Sequence, residues 1–317
     1  MRYNSLGKTG LNVSELALGL LPMGPLQKDL SVSEGARVIR QALDGGVCLV
    51  DTAENYNTYP HLKAALKETD TGVVVATKST ATDYRGMKES IAKARRELER
   101  DVIDIFHLHA ARVDESVFQE RAGALECLVD AKAFGVIRAV GVATHDVRVV
   151  AAASLRDEID VVFPVINLVG LGILGGDREQ MVRAMTLCSQ RGQGVYAMKA
   201  LGGGNLVHRY QEALEFVRGI EAVSAVTLGM VSVAEADFNL NYFQDRLGAA
   251  TDYGQLSRPK HLMVAPFCTG CGQCVEHCVA EALSVSEPDQ RCQVDRERCL
   301  LCGYCAPYCP QFALRVV

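Results

Sequence analysis

Short apolar runs alternate along this chain with longer stretches in which apolar residues return every three or four positions. The runs lie at residues 16–20, 47–50, 73–76, 102–106, 137–142, 161–166, 194–198 and 223–228. They are rich in Val, Ile and Leu and mostly do not alternate with polar residues. That pattern predicts parallel strands buried on both faces. The intervening stretches carry helical periods. In SVSEGARVIRQALDGG, Ser31 or Ser33 is the expected N-cap and Gly45-Gly46 the C-cap. Val38, Ile39, Ala42 and Leu43 form its apolar face. In KESIAKARRELER, Ile91, Ala94 and Leu98 recur on one side. Residues 117–134, 146–156, 178–191, 207–219 and 233–245 read similarly, and 59–67 more weakly. Eight strand–helix units predict an α/β fold, a (β/α)8 barrel. A doubly wound open sheet is disfavoured, because no G-x-G-x-x-G follows the first run.

The rhythm stops near residue 245. Residues 246–261 read as a linker with Gly and Pro punctuation. The remainder, 262–317, is too short for an ordinary hydrophobic core and is expected to be held together by bound metal. The expected domains are therefore 1–245, a linker over 246–261, and 262–317.

Composition sharpens this division. Hydrophobic residues make up 49% of the chain, enough for a large core. The formal net charge is −5, with no basic stripe, which argues against a nucleic-acid partner. No run is long enough for a transmembrane helix, and the first residues lack a signal-peptide pattern, so a cytoplasmic location is expected. Eight of the twelve cysteines fall in two arrays near the C-terminus, which in a reducing compartment points to metal ligation.

The arrays are CTGCGQCVEHC, with Cys268, Cys271, Cys274 and Cys278, and CLLCGYCAPYCP, with Cys299, Cys302, Cys305 and Cys309. Both follow C-x2-C-x2-C-x3-C. Zinc ribbons use pairs of C-x2-C instead. The segment resembles a bacterial two-cluster ferredoxin, in which the fourth cysteine of each run ligates the other cluster. The resemblance implies one [4Fe–4S] cluster on Cys268, Cys271, Cys274 and Cys309, and another on Cys299, Cys302, Cys305 and Cys278. Val279 stands where the family usually has Pro. Cys292 lies near the second array in sequence, but that array is already complete. Cys48, Cys127 and Cys188 read as small core residues.

Barrel chemistry sits at the C-terminal strand ends. The second strand ends in DTAENY, giving Asp51 and Tyr56; the third in ATKST, giving Lys78; the fourth in DIFHLHA, giving His107 and His109. A tyrosine is a poor acid at neutral pH, and a nearby ammonium lowers its pKa. An aspartate balances the lysine, and a histidine orients a carbonyl oxygen or relays a proton. His107 is expected on the opposite side of the strand from His109, in a structural role.

With these motifs, residues 1–245 resemble the aldo-keto reductase family. YNSLGKTGLNVSELALG resembles its N-terminal hairpin and first strand. GVATH, INL, VYAMKALGGGNL and LGMVSVAEADFNL resemble its cofactor-side elements. The resemblance implies Tyr56 as general acid, Lys78 as its pKa tuner, Asp51 as the partner of Lys78, and His109 as the substrate-orienting group. It implies a nicotinamide dinucleotide across the barrel mouth, contacting Thr144, His145, Asn167, Met198, Gly202, Gly203, Gly204, Gly229 and Asn239. The loop after the eighth strand carries Glu235 and Asp237 and no basic residue, which favours NAD(H) over NADP(H). The three glycines at 202–204 allow close backbone approach to a phosphate, or form a plain turn.

Hydride transfer moves two electrons together and clusters move one. A bound flavin, or a substrate that accepts single electrons, would join the two regimes. Three function classes follow. In the first, the chain is an oxidoreductase acting on a small carbonyl or alcohol, with electrons exchanged through the clusters, in an anaerobic or low-oxygen setting. In the second, it is an electron-transfer subunit serving an external donor or acceptor protein. In the third, it is an NADH carbonyl reductase with structural clusters. The loop LVGLGILGGD at 168–177 is expected to line a pocket, cover the barrel or pack under the C-terminal segment.

Overall fold

The computed structural model describes residues 1–67, 72–111, 113–247, 260–287, 290–311 and 313–316. An antiparallel hairpin, β1 (Tyr3–Ser5) and β2 (Asn12–Ser14), comes first. Eight parallel strands follow: β3 (Leu16–Gly19), β4 (Leu49–Asp51), β5 (Val74–Ser79), β6 (Ile103–Ala110), β7 (Ile137–Thr144), β8 (Val161–Pro164), β9 (Gly194–Ala197) and β10 (Ala225–Gly229). β10 pairs with both β9 and β3, which closes the barrel. Each apolar run has become one strand.

Helices α1 (Val32–Asp44), α2 (Tyr59–Leu66), α3 (Tyr84–Leu98), α4 (Val117–Glu120), α5 (Ala122–Ala133), α6 (Val147–Ala153), α7 (Arg178–Gln190), α8 (Tyr210–Arg218) and α9 (Val233–Phe243) are threaded among the strands. Ser31 caps α1 and Glu34 returns the bond, a capping box. Val38, Ile39 and Ala42 of α1 are buried in the layer between helices and barrel. Leu6, Leu11 and Val13 of the hairpin pack with Ala17, Leu49, Ala76 and Ile105, and so plug the barrel interior at its N-terminal end. The opposite end, where the strands finish, is left for chemistry.

The C-terminal module holds two small antiparallel sheets, β11 (Leu262–Val264) with β14 (Leu314–Val316), and β12 (Leu283–Ser286) with β13 (Arg291–Val294). A short helix, α10 (Gln273–Glu276), lies within the first cysteine array. Most of the linker expected over 246–261 lies outside the described residues, which resume at Lys260. Among the described residues no helix is long and apolar enough to cross a membrane.

The module is seated on the barrel mouth. Gln27 Nε2 donates to Leu301 O at 3.0 Å, and Asn205 Nδ2 donates to Cys299 O at 2.8 Å. Leu300 and Leu301 are buried. Leu171, from the 168–177 loop, packs against the module's core, and a methyl group on Gly172 would overlap the Leu300 side chain. That loop therefore packs under the C-terminal segment.

Candidate active site and cluster cavities

Asp51 closes β4, and Tyr56 follows in a short turn. That turn is pinned by Glu54, which accepts hydrogen bonds from Ser79 Oγ and Ser90 Oγ, both at 2.8 Å. Lys78 and His109 project from β5 and β6. All four side chains line one cavity and are buried. Lys78 Nζ donates to both Asp51 oxygens, at 2.8 and 2.6 Å, and to Thr52 O at 2.8 Å. Burial pushes the Asp51 pKa up and the Lys78 pKa down, and their pairing opposes both shifts.

The lysine is committed to Asp51, as expected, and to Thr52. Its three protons are all used, and its ammonium lies over the Tyr56 ring, 4.9 Å from the centroid. The Tyr56 hydroxyl pairs instead with the Tyr304 hydroxyl of the module, at 3.0 Å. Burial holds the Tyr56 pKa well above the ordinary tyrosine value, with Tyr304 and Asp51 adding to the rise. The net direction is upward even with the Lys78 ammonium beside the ring, so Tyr56 is a protonated phenol at neutral pH.

The three rings of Tyr56, His109 and Tyr304 lie edge-on or tilted to one another, with centroids 6.2–6.4 Å apart. Burial, and then the Lys78 charge, hold His109 well below the usual histidine range, so its ring is neutral at neutral pH. Among the described residues His109 Nδ1 has no hydrogen-bond partner.

His107 corrects an expectation. Residues two apart on a strand share a face, so His107 points into the barrel beside His109. It meets Tyr196 Oη at 2.7 Å, and Tyr196 donates to Asp51 at 3.2 Å. With the tyrosine's one proton given to Asp51, the network assigns Nε2–H of His107 as the donor to Tyr196. His107 thus supports the Asp51–Lys78 pair from below.

The cofactor-contact expectations divide. His145, Met198, Gly203, Gly204 and Gly229 line the cavity. Thr144, Asn167, Gly202 and Asn239 do not. Thr144 Oγ1 accepts from Asp146 N. Asn167 bonds Leu171 through both ends of its amide. Asn239 accepts from Tyr210 and donates to Glu235 O. Gly203 has φ 71°, and a methyl group there would overlap the Leu300 carbonyl. The close approach that this glycine permits is therefore to the module's backbone. The last loop itself has no basic residue, but Lys28 and Lys260 from other segments act on its Glu235.

Two residues of this site went unnoticed in the sequence. Tyr304 lies between Cys302 and Cys305. Lys199 follows β9 with φ 59° and lines the cavity. Its charge reaches Lys78, His109 and His145 on one side and Cys299 and Cys302 on the other. The signal for Tyr304 was available: where the second array has Tyr304, the first has Gln273.

The cysteines ring two further cavities. One is lined by Cys268, Cys271, Cys274 and Cys309, the other by Cys278, Cys299, Cys302 and Cys305. Backbone N–H groups reach the fourth thiol of each run: Ala282 N donates to Cys278 Sγ and Ala313 N to Cys309 Sγ, each at 3.2 Å. Such bonds orient thiolate ligands and tune a cluster. Among the described residues no three His, Cys, Asp or Glu side chains converge on a single metal ion. Four thiols around a shared cavity suit a polynuclear cluster better than one zinc ion. Cys292 stands beside the first cavity, not the second: its Sγ is 3.6 Å from Cys274 Sγ.

A family model described as aldo/keto reductase family matches residues 15–253, and one described as 4Fe-4S dicluster domain matches residues 267–313. An aldo-keto reductase of Bacillus subtilis, YhdN, is 30% identical over 165 residues, 46% of this chain and 48% of that protein. NADH-quinone oxidoreductase subunit I of Pelobacter propionicus is 28% identical over 92 residues, 24% of this chain and 48% of that protein. The chain spans about half the length of the relatives it matches. Among solved structures, a putative aldo-keto reductase from Pseudomonas aeruginosa superposes with TM-score 0.65 at 23% identity, covering 78% of this chain and 95% of that one. The holo form of an aldo-keto reductase from Bacillus halodurans gives TM-score 0.63 at 19% identity, covering 79% and 98%. These two share the fold of the barrel.

Proposed function

The chain belongs to the aldo/keto reductase family and carries a C-terminal 4Fe-4S dicluster domain; from that premise we propose that it interconverts a small carbonyl and its alcohol in the barrel cavity, with electrons entering through the C-terminal module. The barrel, to about residue 245, and the module, from 262, act as one unit. The observation that carries this reading is the 3.0 Å contact between Tyr56 and Tyr304. It joins the proton donor of the barrel to the residue between two cysteines of the second array. The reading goes with an oxygen-poor cytoplasmic setting.

Reduction of a carbonyl to an alcohol consumes two electrons and two protons. Two [4Fe–4S] clusters, on the two cysteine sets described above, supply electrons singly when bound. His109 orients the carbonyl oxygen with a neutral ring. Tyr56 gives that oxygen its proton, and Tyr304 is placed to replace it along the hydroxyl pair; the second proton comes from solvent. The Asp51–Lys78 pair, with His107 and Tyr196 behind it, fixes the floor beneath Tyr56. Lys199 offers positive charge to an oxygen that gains electron density. An isolated ketone accepts a single electron poorly, so the fitting substrate is a conjugated carbonyl whose half-reduced form is delocalised. The reductant is a one-electron carrier protein of low potential.

The test is anaerobic turnover of conjugated carbonyls with dithionite as donor, with the alcohol product followed by mass spectrometry. Product from the wild type, falling by about 10²–10⁴ in Tyr56→Phe, is expected. Equal turnover by both proteins would sink the reading.

A further inference from the structure

Family membership implies a nicotinamide dinucleotide lying across the barrel mouth. The residues of this chain do not fit one. From His145 past Met198 to Gly203 and Gly204, the expected strip lines a cavity shared with Leu300, Leu301, Cys302 and Tyr304 of the module; Gly229, at its end, is exposed. Leu300 presses its backbone on Gly203, and Leu301 reaches Gly204 beside Lys260. Hydrogen bonds hold this cover from both banks: Asn205 to Cys299 O on one side, Gln27 to Leu301 O on the other. Gly303 lets the module's backbone settle on the Leu26 carbonyl. What remains beneath is a cavity of about 150 Å³, below the roughly 300–1,000 Å³ of ordinary cofactor and ligand pockets.

Of the polar side chains expected to meet the dinucleotide, His145 still lines the cavity, but two others are engaged elsewhere. Thr144 and Asn167 spend their side chains on Asp146 and Leu171. At the other end, Asn239 is tied to Tyr210 and Glu235, and Glu235 accepts from Val231 N. A dinucleotide would have to lift the module, re-expose Leu300 and Leu301, and break the Tyr56–Tyr304 contact.

We propose that the module is a built-in replacement for the dinucleotide: the Cys299–Tyr304 segment occupies the cofactor strip, and the chain takes no hydride from NADH or NADPH. The cavity left behind admits one small substrate. The proposal rests on the functional reading above only for where electrons enter instead; the steric exclusion stands by itself.

The experiment is a titration of the full-length, cluster-loaded protein, purified without oxygen, with NADH and then NADPH. Nicotinamide fluorescence reports binding and visible absorption reports the oxidation state of the iron–sulfur centres. No saturable fluorescence change up to about 1 mM is expected, the upper end of ordinary enzyme affinities, and no bleaching. A saturable change below that concentration, or bleaching by either nucleotide, would overturn the proposal. If neither nucleotide binds and dithionite still drives no carbonyl reduction, the functional reading fails while this one stands.

Discussion

The two cysteine arrays have the same spacing and opposite surroundings. In the first, the residues between the first three cysteines are Thr269, Gly270, Gly272 and Gln273; Thr269, Gln273 and Cys271 itself are exposed. In the second they are Leu300, Leu301, Gly303 and Tyr304, and Leu300, Leu301 and Gly303 are buried. The cysteine positions specify where iron is held, and the residues between them decide what each half touches. Backbone conformation makes the same point. Gly270 and its counterpart Leu301 both have positive φ, 62° and 49°. Glycine adopts this freely, whereas a leucine bears roughly 1–2 kcal/mol. Burying a leucine side chain returns about 1.5–3 kcal/mol. The strain at Leu301 is therefore offset by its burial, in the module's own core and beside Gly204 of the barrel. One array docks inward. The other keeps Thr269, Cys271 and Gln273 exposed.

This contrast can be broken at graded cost. Largest is Tyr56→Phe, which removes the proton donor that the second array meets; the dithionite-driven rate should fall by about 10²–10⁴ with iron content unchanged. Next come two glycines at equivalent positions, Gly303→Ala and Gly272→Ala. Both have positive φ, so both bear backbone strain. Only at Gly303 would the new methyl also strike the barrel, at Leu26 O, whereas around Gly272 nothing lies within 4 Å. Gly303→Ala should loosen the module and expose it to limited proteolysis, with Gly272→Ala close to wild type. A smaller effect is expected from Tyr304→Phe, which deletes one hydrogen bond worth about 0.5–1.5 kcal/mol, or roughly 2–10-fold in rate; Gln273→Leu in the other array should leave the rate unchanged.

A separate effect is on stability in mild acid. His107, His109 and His145 are all held well below the usual histidine range by burial. The unfolded chain therefore binds more protons than the folded one once the pH drops below about 6.5. Stability from this source is fully present above that pH and is lost on acidification towards the lower folded values. The slope is about 1.4 kcal/mol per pH unit for each histidine. The barrel's unfolding midpoint, followed by circular dichroism, should fall between pH 6.5 and 5.5. A flat profile would mean that these rings are charged in the fold.

Periodicity carried the barrel well, because parallel strands buried on both faces leave continuous apolar runs in the chain. The cysteine spacing carried the ligand grouping. Asp51, Tyr56, Lys78 and His109 lay at strand ends and do line one cavity. What the chain did not reveal was contact between distant segments. Lys78 lies beside Tyr56, but nothing in the sequence shows that Tyr304, 248 positions along, pairs with the Tyr56 hydroxyl. Gly203 reads as allowing approach to a phosphate or as part of a plain turn; it lies in a short turn against Leu300. His107 was misassigned for a simpler reason, the two-residue period of a strand.

The most direct measurement is a single turnover. Holoenzyme reduced with dithionite and freed of excess reductant would be mixed without oxygen with a conjugated carbonyl, and visible absorption and product followed together. The expected result is recovery of the oxidised iron–sulfur spectrum in step with alcohol formation, one alcohol for every two electrons lost, and strong slowing in Tyr56→Phe. Centres that stay reduced in the presence of substrate, alongside alcohol formation driven by NADH, would contradict the claim that electrons reach the barrel through its docked module.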